Sequence, residues 1–177
     1  HYPLDCLIFA SGFEVGTAFD RRAGFAPVGR GGLHLSEAWA DGMQTLHGLH
    51  VHGFPNLFIV GPAQGANLIS NITHNLSEAG STIATILRHA LDLGADEGEV
   101  TREAQQSWIE LLQSSERAFL GDPSCTPGYY NNEGGPIGPA QRLGLSGHPD
   151  GAVAFFEYIE RWRTSGRFEG LVFREGH

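Results

Sequence analysis

The sequence has few of the features that mark several large classes of protein. Only two of its 177 residues are cysteine, so no disulfide framework is indicated. No apolar run approaches the ~18 residues of a membrane span and no secretory signal pattern is present, so we expect a cytoplasmic protein without a membrane partner. The formal net charge is −9 and cations are not clustered, which argues against nucleic acid as a partner.

Several short motifs for catalysis and nucleotide binding are also absent. There is no G-x-G-x-x-G, and "GRGG" at residues 29–32 is not followed by a helix at the required place. The fingerprint that holds a pyrophosphate is therefore missing from this chain. Neither Ser11 nor Ser70 lies in G-x-S-x-G, so neither is indicated as a hydrolase nucleophile.

Three of the nine histidines, His47, His50 and His52, lie close together in "LHGLHVHG". On a strand, His50 and His52 would share one face, which suits two ligands of a metal ion. The pattern is weak, because no carboxylate or cysteine lies nearby in the sequence. No metal site is predicted.

Short apolar runs predict strands at three places. Residues 4–10 ("LDCLIFA") and residues 57–60 ("LFIV") show little alternation, as is typical of parallel strands that are covered on both faces. The second run ends at Gly61-Pro62. Residues 170–173 predict a last, short strand.

Apolar residues at spacings of three and four predict three helices. The clearest covers residues 70–93, with Ser70 as N-cap and Gly94 just past its end. The other two are predicted over residues 101–119 and 150–165. The inward stripe predicted for the first helix consists of Ile72, Leu76, Ala79, Ile83, Leu87 and Ala90.

The unit from residue 57 to residue 93 is the first candidate for a binding site. In open α/β sheets, ligands lie beyond the carboxyl ends of the strands. A helix that begins there offers free N–H groups and a partial positive charge, which favour a phosphate or the pyrimidine pole of a reduced flavin. A plain strand–helix crossover without a ligand fits the same spacing.

Several motifs, and the order in which they occur, resemble those of one known enzyme family. "LDCLIFASGFE" resembles the D-x-(I/L)-(I/V)-x-A-(T/S)-G-(F/Y) segment of class B flavoprotein monooxygenases. The run "AWADG…T.HGL.V.GFPNLF…GP" resembles the C-terminal stretch of their Baeyer–Villiger type, as do "CTPGYYNNEG" and "GRFEGLVF". The similarity covers nearly the whole chain but only about the last third of such an enzyme. We therefore expect the chain to be the C-terminal portion of a longer protein.

The resemblance implies a fold and an activity. The fold is the C-terminal part of a three-layer, Rossmann-like FAD/NAD(P)-binding α/β fold, with parallel strands, one long helix and a loop-rich helical tail. Residues 1–120 would be the last segment of the FAD-binding domain, and residues 121–177 would be the tail. The implied enzyme uses FAD and NADPH to insert one oxygen atom of O₂ next to a ketone carbonyl, which gives an ester or lactone.

The resemblance also places cofactor contacts, but no catalytic residue, on this chain. They are Ser11 and Gly12 in the linker between the NADPH and FAD domains, Gly61 and Pro62 beneath the flavin, Asn67, Leu68, Ser70, Asn71 and Ile72 along the isoalloxazine, and Tyr129 and Asn131 in a loop that closes over NADPH. Many relatives carry a Trp in that loop, where this chain has "TPG" at residues 126–128. The chain thus departs from the family pattern in the loop that the resemblance places over NADPH.

The FAD and NADPH fingerprints and the catalytic Arg of the family all precede residue 1 in family order. We therefore expect the isolated chain to be inactive and its partners to be those missing N-terminal segments, a ketone and O₂. An isolated fragment with uncovered apolar strands would self-associate. Two other interpretations stay open, namely N- or S-oxygenation by the same cofactor and a stand-alone binding or interaction domain without flavin.

Overall fold

The computed structural model describes residues 2–9, 23–61, 63–66, 70–114, 126–128, 131 and 134–175. The elements in these ranges are a 3₁₀ turn at Arg30–Gly32, α1 (Leu35–Ala38), α2 (Ile72–Leu93), β1 (Glu97–Val100), α3 (Arg102–Gln113), α4 (Pro139–Leu145), α5 (Ala152–Thr164) and β2 (Leu171–Arg174). Strands β1 and β2 pair antiparallel, with Gly98 opposite Phe173. No helix among the described residues is long and apolar enough to cross a membrane.

Helix α2 forms close to the predicted bounds, but its N-cap differs. The side chain of Asn71 accepts a hydrogen bond from the His74 N–H, so Asn71 is the cap. The predicted cap, Ser70, instead accepts a hydrogen bond from the Asn75 side-chain amide at 2.7 Å. At the other end Gly94 adopts the left-handed conformation with φ 67°, which a glycine enters without Cβ strain.

The other predicted helices and the last strand are found with shifted ends. Helix α3 begins after Thr101, whose side chain accepts from the Ala104 N–H, and it ends at Gln113. Residues 115–119 of that prediction lie outside the described residues. Helix α5 and strand β2 each begin one or two residues later than predicted. Strand β1 and helix α4 were not predicted, because β1 is only four residues long and α4 lies in a stretch rich in Gly and Pro.

The strands predicted at residues 4–10 and 57–60 were wrong for the described residues. Neither stretch forms a strand, and Leu4, Ile8 and Phe9 are 66 to 84% exposed. A strand needs a neighbour that pairs with its N–H and C=O groups, and no described segment pairs with residues 2–9. Residues 57–60 form a connection in which the Ile59 N–H donates to the Leu49 carbonyl oxygen at 2.8 Å.

The buried side of α2 also differs from the predicted stripe. Thr82 and Ile86 are buried, whereas Ile72, Leu76 and Leu87 are 42 to 50% exposed. The prediction assumed that the most apolar face would be covered. Among the described residues, however, α2 packs on α5 through a more polar side, and three of the six stripe residues are exposed.

One apolar core draws on residues before and after position 120. Its buried members are Leu46, Ala66, Ile86, Val100, Trp108, Ile109, Leu112, Leu143, Phe155, Ile159, Trp162 and Phe168. A second, smaller cluster lies at α1 and consists of Leu35, Val51, Phe54 and Ile59. The two clusters hold residues 43–61 and 63–66 against the helices, and these residues lead into the candidate site.

Candidate functional site

The structure describes five of the eleven predicted cofactor contacts. These are Gly61, Ser70, Asn71, Ile72 and Asn131. The predictions for Ser11, Gly12, Pro62, Asn67, Leu68 and Tyr129 fall outside the described residues.

The N-terminus of α2 is the best-defined part of the candidate site. Asn71 and Ile72 are exposed there, and the first-turn N–H groups of any α-helix lack intrahelical partners. The helix is 22 residues long and carries no acidic side chain in its first turn. Its positive end therefore favours an anionic group on the outside.

Gly61 lies beside the start of this helix. A small cavity is lined both by Gly61 and by Asn75 and Ala79, which belong to the first three turns of α2. A Cβ built on Gly61 would meet no other atom within 4 Å. Gly61 thus lies beside α2, the helix that begins at the predicted residues 70–72, and its Cβ position is open.

The turn at residues 63–66 is held by Gln64, which was not predicted. Its side chain is fully buried, and its amide donates to the carbonyl oxygens of Met43 and Leu143. Its side-chain oxygen accepts a hydrogen bond from the Thr45 hydroxyl at 2.6 Å. No signal in "PAQGA" marks this residue, because glutamine in a glycine-bearing loop is usually exposed.

The backbone around Gln64 is equally constrained. Its φ is 58°, in the left-handed region that costs a residue with a Cβ roughly 1 kcal/mol or more. Its N–H donates to the Ser146 carbonyl oxygen at 2.9 Å, and its carbonyl oxygen accepts the indole N–H of Trp108 at 3.0 Å. A Cβ on Gly48 would collide with the carbonyl oxygen of Ala63. The turn is therefore fixed by its hydrogen bonds to Ser146 and Trp108 and by the close approach of Gly48.

Two buried histidines lie close to this turn. Nε2 of His47 is 2.9 Å from the Tyr158 hydroxyl, and the His47 ring meets the rings of Trp108, Tyr158 and Trp162 edge-on. Burial and the nearby His50 lower the pKa of His47 well below its ordinary value. Burial also lowers the pKa of His50 to about 4. Both side chains are neutral near pH 7.

The histidines do not share a strand face as predicted. Residues 46–50 form a turn closed by a bridge between Leu46 and His50, and Nδ1 of His52 lies 2.9 Å from the Val100 carbonyl oxygen. Within the described ranges, no group of three or more His, Cys, Asp or Glu side chains is arranged to hold a metal ion.

A cavity of about 730 Å³ beside the two-stranded sheet is lined largely by charged residues. Arg30 and Arg174 both pair there with Glu97 and Glu99. Burial raises the pKa of Glu99, but hydrogen bonds from Arg174 and Arg30 outweigh it, so the net pKa is lowered. These charges neutralise one another, and the network ties the Arg30 turn to the sheet.

Asn131 uses its side chain inside its own loop. Its side-chain oxygen accepts from the N–H groups of Gly128 at 2.8 Å and Gly134 at 3.3 Å, and its amide donates to the Thr126 carbonyl oxygen at 3.1 Å. The residue is buried. Its observed hydrogen bonds join the backbone at residues 126, 128 and 134.

Comparison with known proteins identifies relatives of the chain. No protein-family model matches it. It is 41% identical over 99% of its length to neopentalenolactone D synthase of Streptomyces avermitilis and 44% identical over 97% to a Baeyer–Villiger monooxygenase of Streptomyces coelicolor. It is also 35% identical over 96% to an FAD-binding monooxygenase of Hypomyces subiculosus. The chain spans only 28 to 30% of the length of these curated relatives.

Solved structures agree with this result. The polycyclic ketone monooxygenase of Thermothelomyces thermophila matches 98% of the chain with a TM-score of 0.78 and 28% identity. Cyclohexanone monooxygenase of a Rhodococcus species, bound to NADP⁺, matches 99% with a TM-score of 0.72 and 22% identity, a likeness of fold alone. The chain covers 28% and 31% of these two structures.

The fold is therefore that of one part of an FAD- and NADP-binding flavoprotein monooxygenase, as predicted. More particularly, the chain is homologous to 28% of the Streptomyces coelicolor Baeyer–Villiger monooxygenase, and the resemblance in its motifs is confirmed.

Proposed function

We propose that this chain is the flavin-side, C-terminal portion of an FAD- and NADPH-dependent Baeyer–Villiger monooxygenase. The larger enzyme converts a ketone and O₂ into an ester or lactone. The observation that carries the proposal is the identity of 44% with the Baeyer–Villiger monooxygenase of Streptomyces coelicolor over 97% of the chain. That identity favours ketone oxidation over the N- or S-oxygenation that the motifs leave open.

The start of α2 fits a flavin ring by its chemistry. Gly61 leaves open space, and the first turn of α2 offers N–H groups and no competing acidic side chain. In the proposed enzyme, Gly61, Ser70, Asn71 and Ile72 contact FAD, together with Ser11, Gly12, Pro62, Asn67 and Leu68. Bound FAD, reduced by NADPH, supplies the activated oxygen. The chain's part is to bind the ring, to stabilise negative charge on it and to exclude water.

The loop that holds Asn131 has a supporting role in this proposal. Relatives of this fold bind NADP⁺, and we place Tyr129 and Asn131 in a loop over that cofactor. The Asn131 side chain also bonds to Gly128, Gly134 and Thr126, so in this proposal it supports the backbone around the predicted cofactor contact.

The exposed apolar surfaces are a second argument that this chain is part of a larger enzyme. Phe9 is 84% exposed, and Leu76, Leu87 and Leu91 of α2 are 42 to 70% exposed. Such surfaces are normally covered in a soluble protein. We propose that N-terminal FAD- and NADPH-binding segments of the larger enzyme cover them. The isolated chain should then self-associate, and a monomer by sedimentation with no binding of a hydrophobic dye would contradict this proposal.

The activity is tested with the full-length protein that contains this chain. We expect flavin absorbance after purification, NADPH consumption that depends on a ketone, and a lactone from a cyclic ketone. A colourless protein that does not respond to added FAD would refute the oxygenase and favour a non-enzymatic binding domain. Formation of amine oxides alone would refute ketone oxidation. The 177-residue chain by itself should show no turnover.

A further inference from the structure

The tail supplies three hydrogen bonds to the turn that holds Gln64. The Gln64 N–H donates to the Ser146 carbonyl oxygen at 2.9 Å, and its side-chain amide donates to the Leu143 carbonyl oxygen at 3.1 Å. The next residue takes part as well, since the Gly65 carbonyl oxygen accepts from the His148 N–H at 2.9 Å. The shape of the turn therefore depends on a segment that lies far along the chain.

A ring from the tail also packs against this turn. A Cβ built on Gly65 would lie 3.0 Å from Cζ and 3.2 Å from Cε1 of Phe155 on α5, which is tighter than ordinary van der Waals contact. Gly65 is not among the glycines with a positive φ, so the ring, and not the backbone conformation, favours glycine here. We call this packing and the three hydrogen bonds the tail contacts.

The turn is joined on both sides to predicted cofactor contacts. In the sequence it is flanked by Pro62 and Asn67. Gly65 and Phe155 also line one small pocket together with Gly61 and helix α2. Because peptide bonds fix the spacing of neighbouring residues, a displacement of the turn is passed to the positions on either side of it.

We propose that the tail contacts position the turn at residues 63–66 so that the full-length enzyme binds FAD at Gly61 and at the start of α2. This inference rests on the proposed function. The tail residues that form these contacts are positioning residues, which act through the turn and not by touching the flavin. The tail thus takes part in holding FAD, although its predicted cofactor contacts, Tyr129 and Asn131, were assigned to NADPH.

The test is the FAD affinity of the full-length protein that contains this chain, freed of its cofactor and titrated with FAD by flavin fluorescence. Gly65→Ala adds the Cβ that meets the Phe155 ring, so we expect the dissociation constant to rise about fivefold or more. In a Phe155→Leu background, which lacks Cζ and Cε1, the same substitution should change the constant less than about twofold. The matched control is Gly144→Ala in α4, where a Cβ meets no atom within 4 Å, and it should stay within about twofold of the wild type.

The outcomes separate this inference from the proposed function. A wild type that binds FAD as tightly as Gly65→Ala does, or equal effects of Gly65→Ala in the two backgrounds, would overturn the inference alone. A lower melting temperature in Gly65→Ala with an unchanged FAD constant would show that the tail contacts support the fold only, and would overturn it too. A wild type that binds no FAD would refute the proposed function as well.

A second variant acts on the turn from the side of the tail and replaces Gly65→Ala if that variant does not fold. Phe155→Tyr extends the ring at Cζ, the atom closest to the Cβ position of Gly65. We expect it to weaken FAD binding in the same direction. An unchanged dissociation constant in a folded Phe155→Tyr variant would overturn the inference.

Discussion

The substitution Gln64→Met tests how the turn before α2 is held. Methionine is similar in length to glutamine, so packing is largely kept while three buried groups lose their partner. These are the Thr45 hydroxyl and the carbonyl oxygens of Met43 and Leu143. An unsatisfied buried polar group costs about 1–3 kcal/mol, so we expect the free energy of unfolding to fall by about 3–5 kcal/mol. That is a large fraction of the roughly 5–15 kcal/mol typical of a folded domain.

Urea denaturation followed by tryptophan fluorescence measures this change, because the Trp108 indole bonds directly to the Gln64 carbonyl oxygen. The matched control is Gln106→Met on the exposed side of α3, where the side chain donates to Glu110. The control should stay within about 0.5 kcal/mol of the wild type. A loss of less than about 1 kcal/mol for Gln64→Met would refute the view that Gln64 anchors the turn.

Two further predictions concern acid stability and a close backbone contact. Because burial lowers the pKa of His50 to about 4, the unfolded chain takes up a proton below about pH 6.5 while the folded chain does not. Stability should therefore fall by about 3 kcal/mol for this residue between pH 6.5 and 4, and His50→Phe should remove that loss. Exposed His34→Gln should leave the loss unchanged; an equal acid loss in His50→Phe would contradict the assignment. Gly48→Ala, at φ 74° and against the Ala63 carbonyl oxygen, should destabilise the chain by roughly 2 kcal/mol or more in thermal denaturation. Gly80→Ala, at an open position within α2, should instead stabilise it by about 0.5–1 kcal/mol, and the same sign for both would contradict the structure.

Elements that rest on local signals were predictable from the sequence. The bounds of α2 follow from apolar spacing and from Gly94, and α3 begins at its threonine cap. Elements that depend on distant partners were not. Residues 4–10 have the composition of a buried strand, yet a strand forms only beside another strand. The buried face of α2 was predicted wrongly for a similar reason, since the face that is buried depends on which neighbour packs on it.

The candidate site likewise combines positions that the sequence suggests with residues that no local pattern indicates. The cofactor contacts at positions 61 and 70–72 come from the resemblance in ordered motifs and stay predictions. The anchoring role of Gln64 could not be predicted. Its partners lie 19 to 79 residues away, and no pattern within a window of the sequence encodes them. Likewise, nothing local in "LHGLHVHG" shows that His47 lies among the rings of Trp108, Tyr158 and Trp162.

The central claim is that the N-terminus of α2 faces the flavin, and the most direct test is the flavin reduction potential of the full-length protein with Asn71→Asp. Aspartate caps a helix as well as asparagine does, so the fold is kept while one negative charge is added. We expect the two-electron potential to fall by roughly 20 mV or more, since about 1.4 kcal/mol of repulsion corresponds to about 30 mV. Asp92→Asn, near the opposite end of α2, should leave the potential unchanged. An unaltered potential in Asn71→Asp, or a shift of equal size in Asp92→Asn, would contradict the claim.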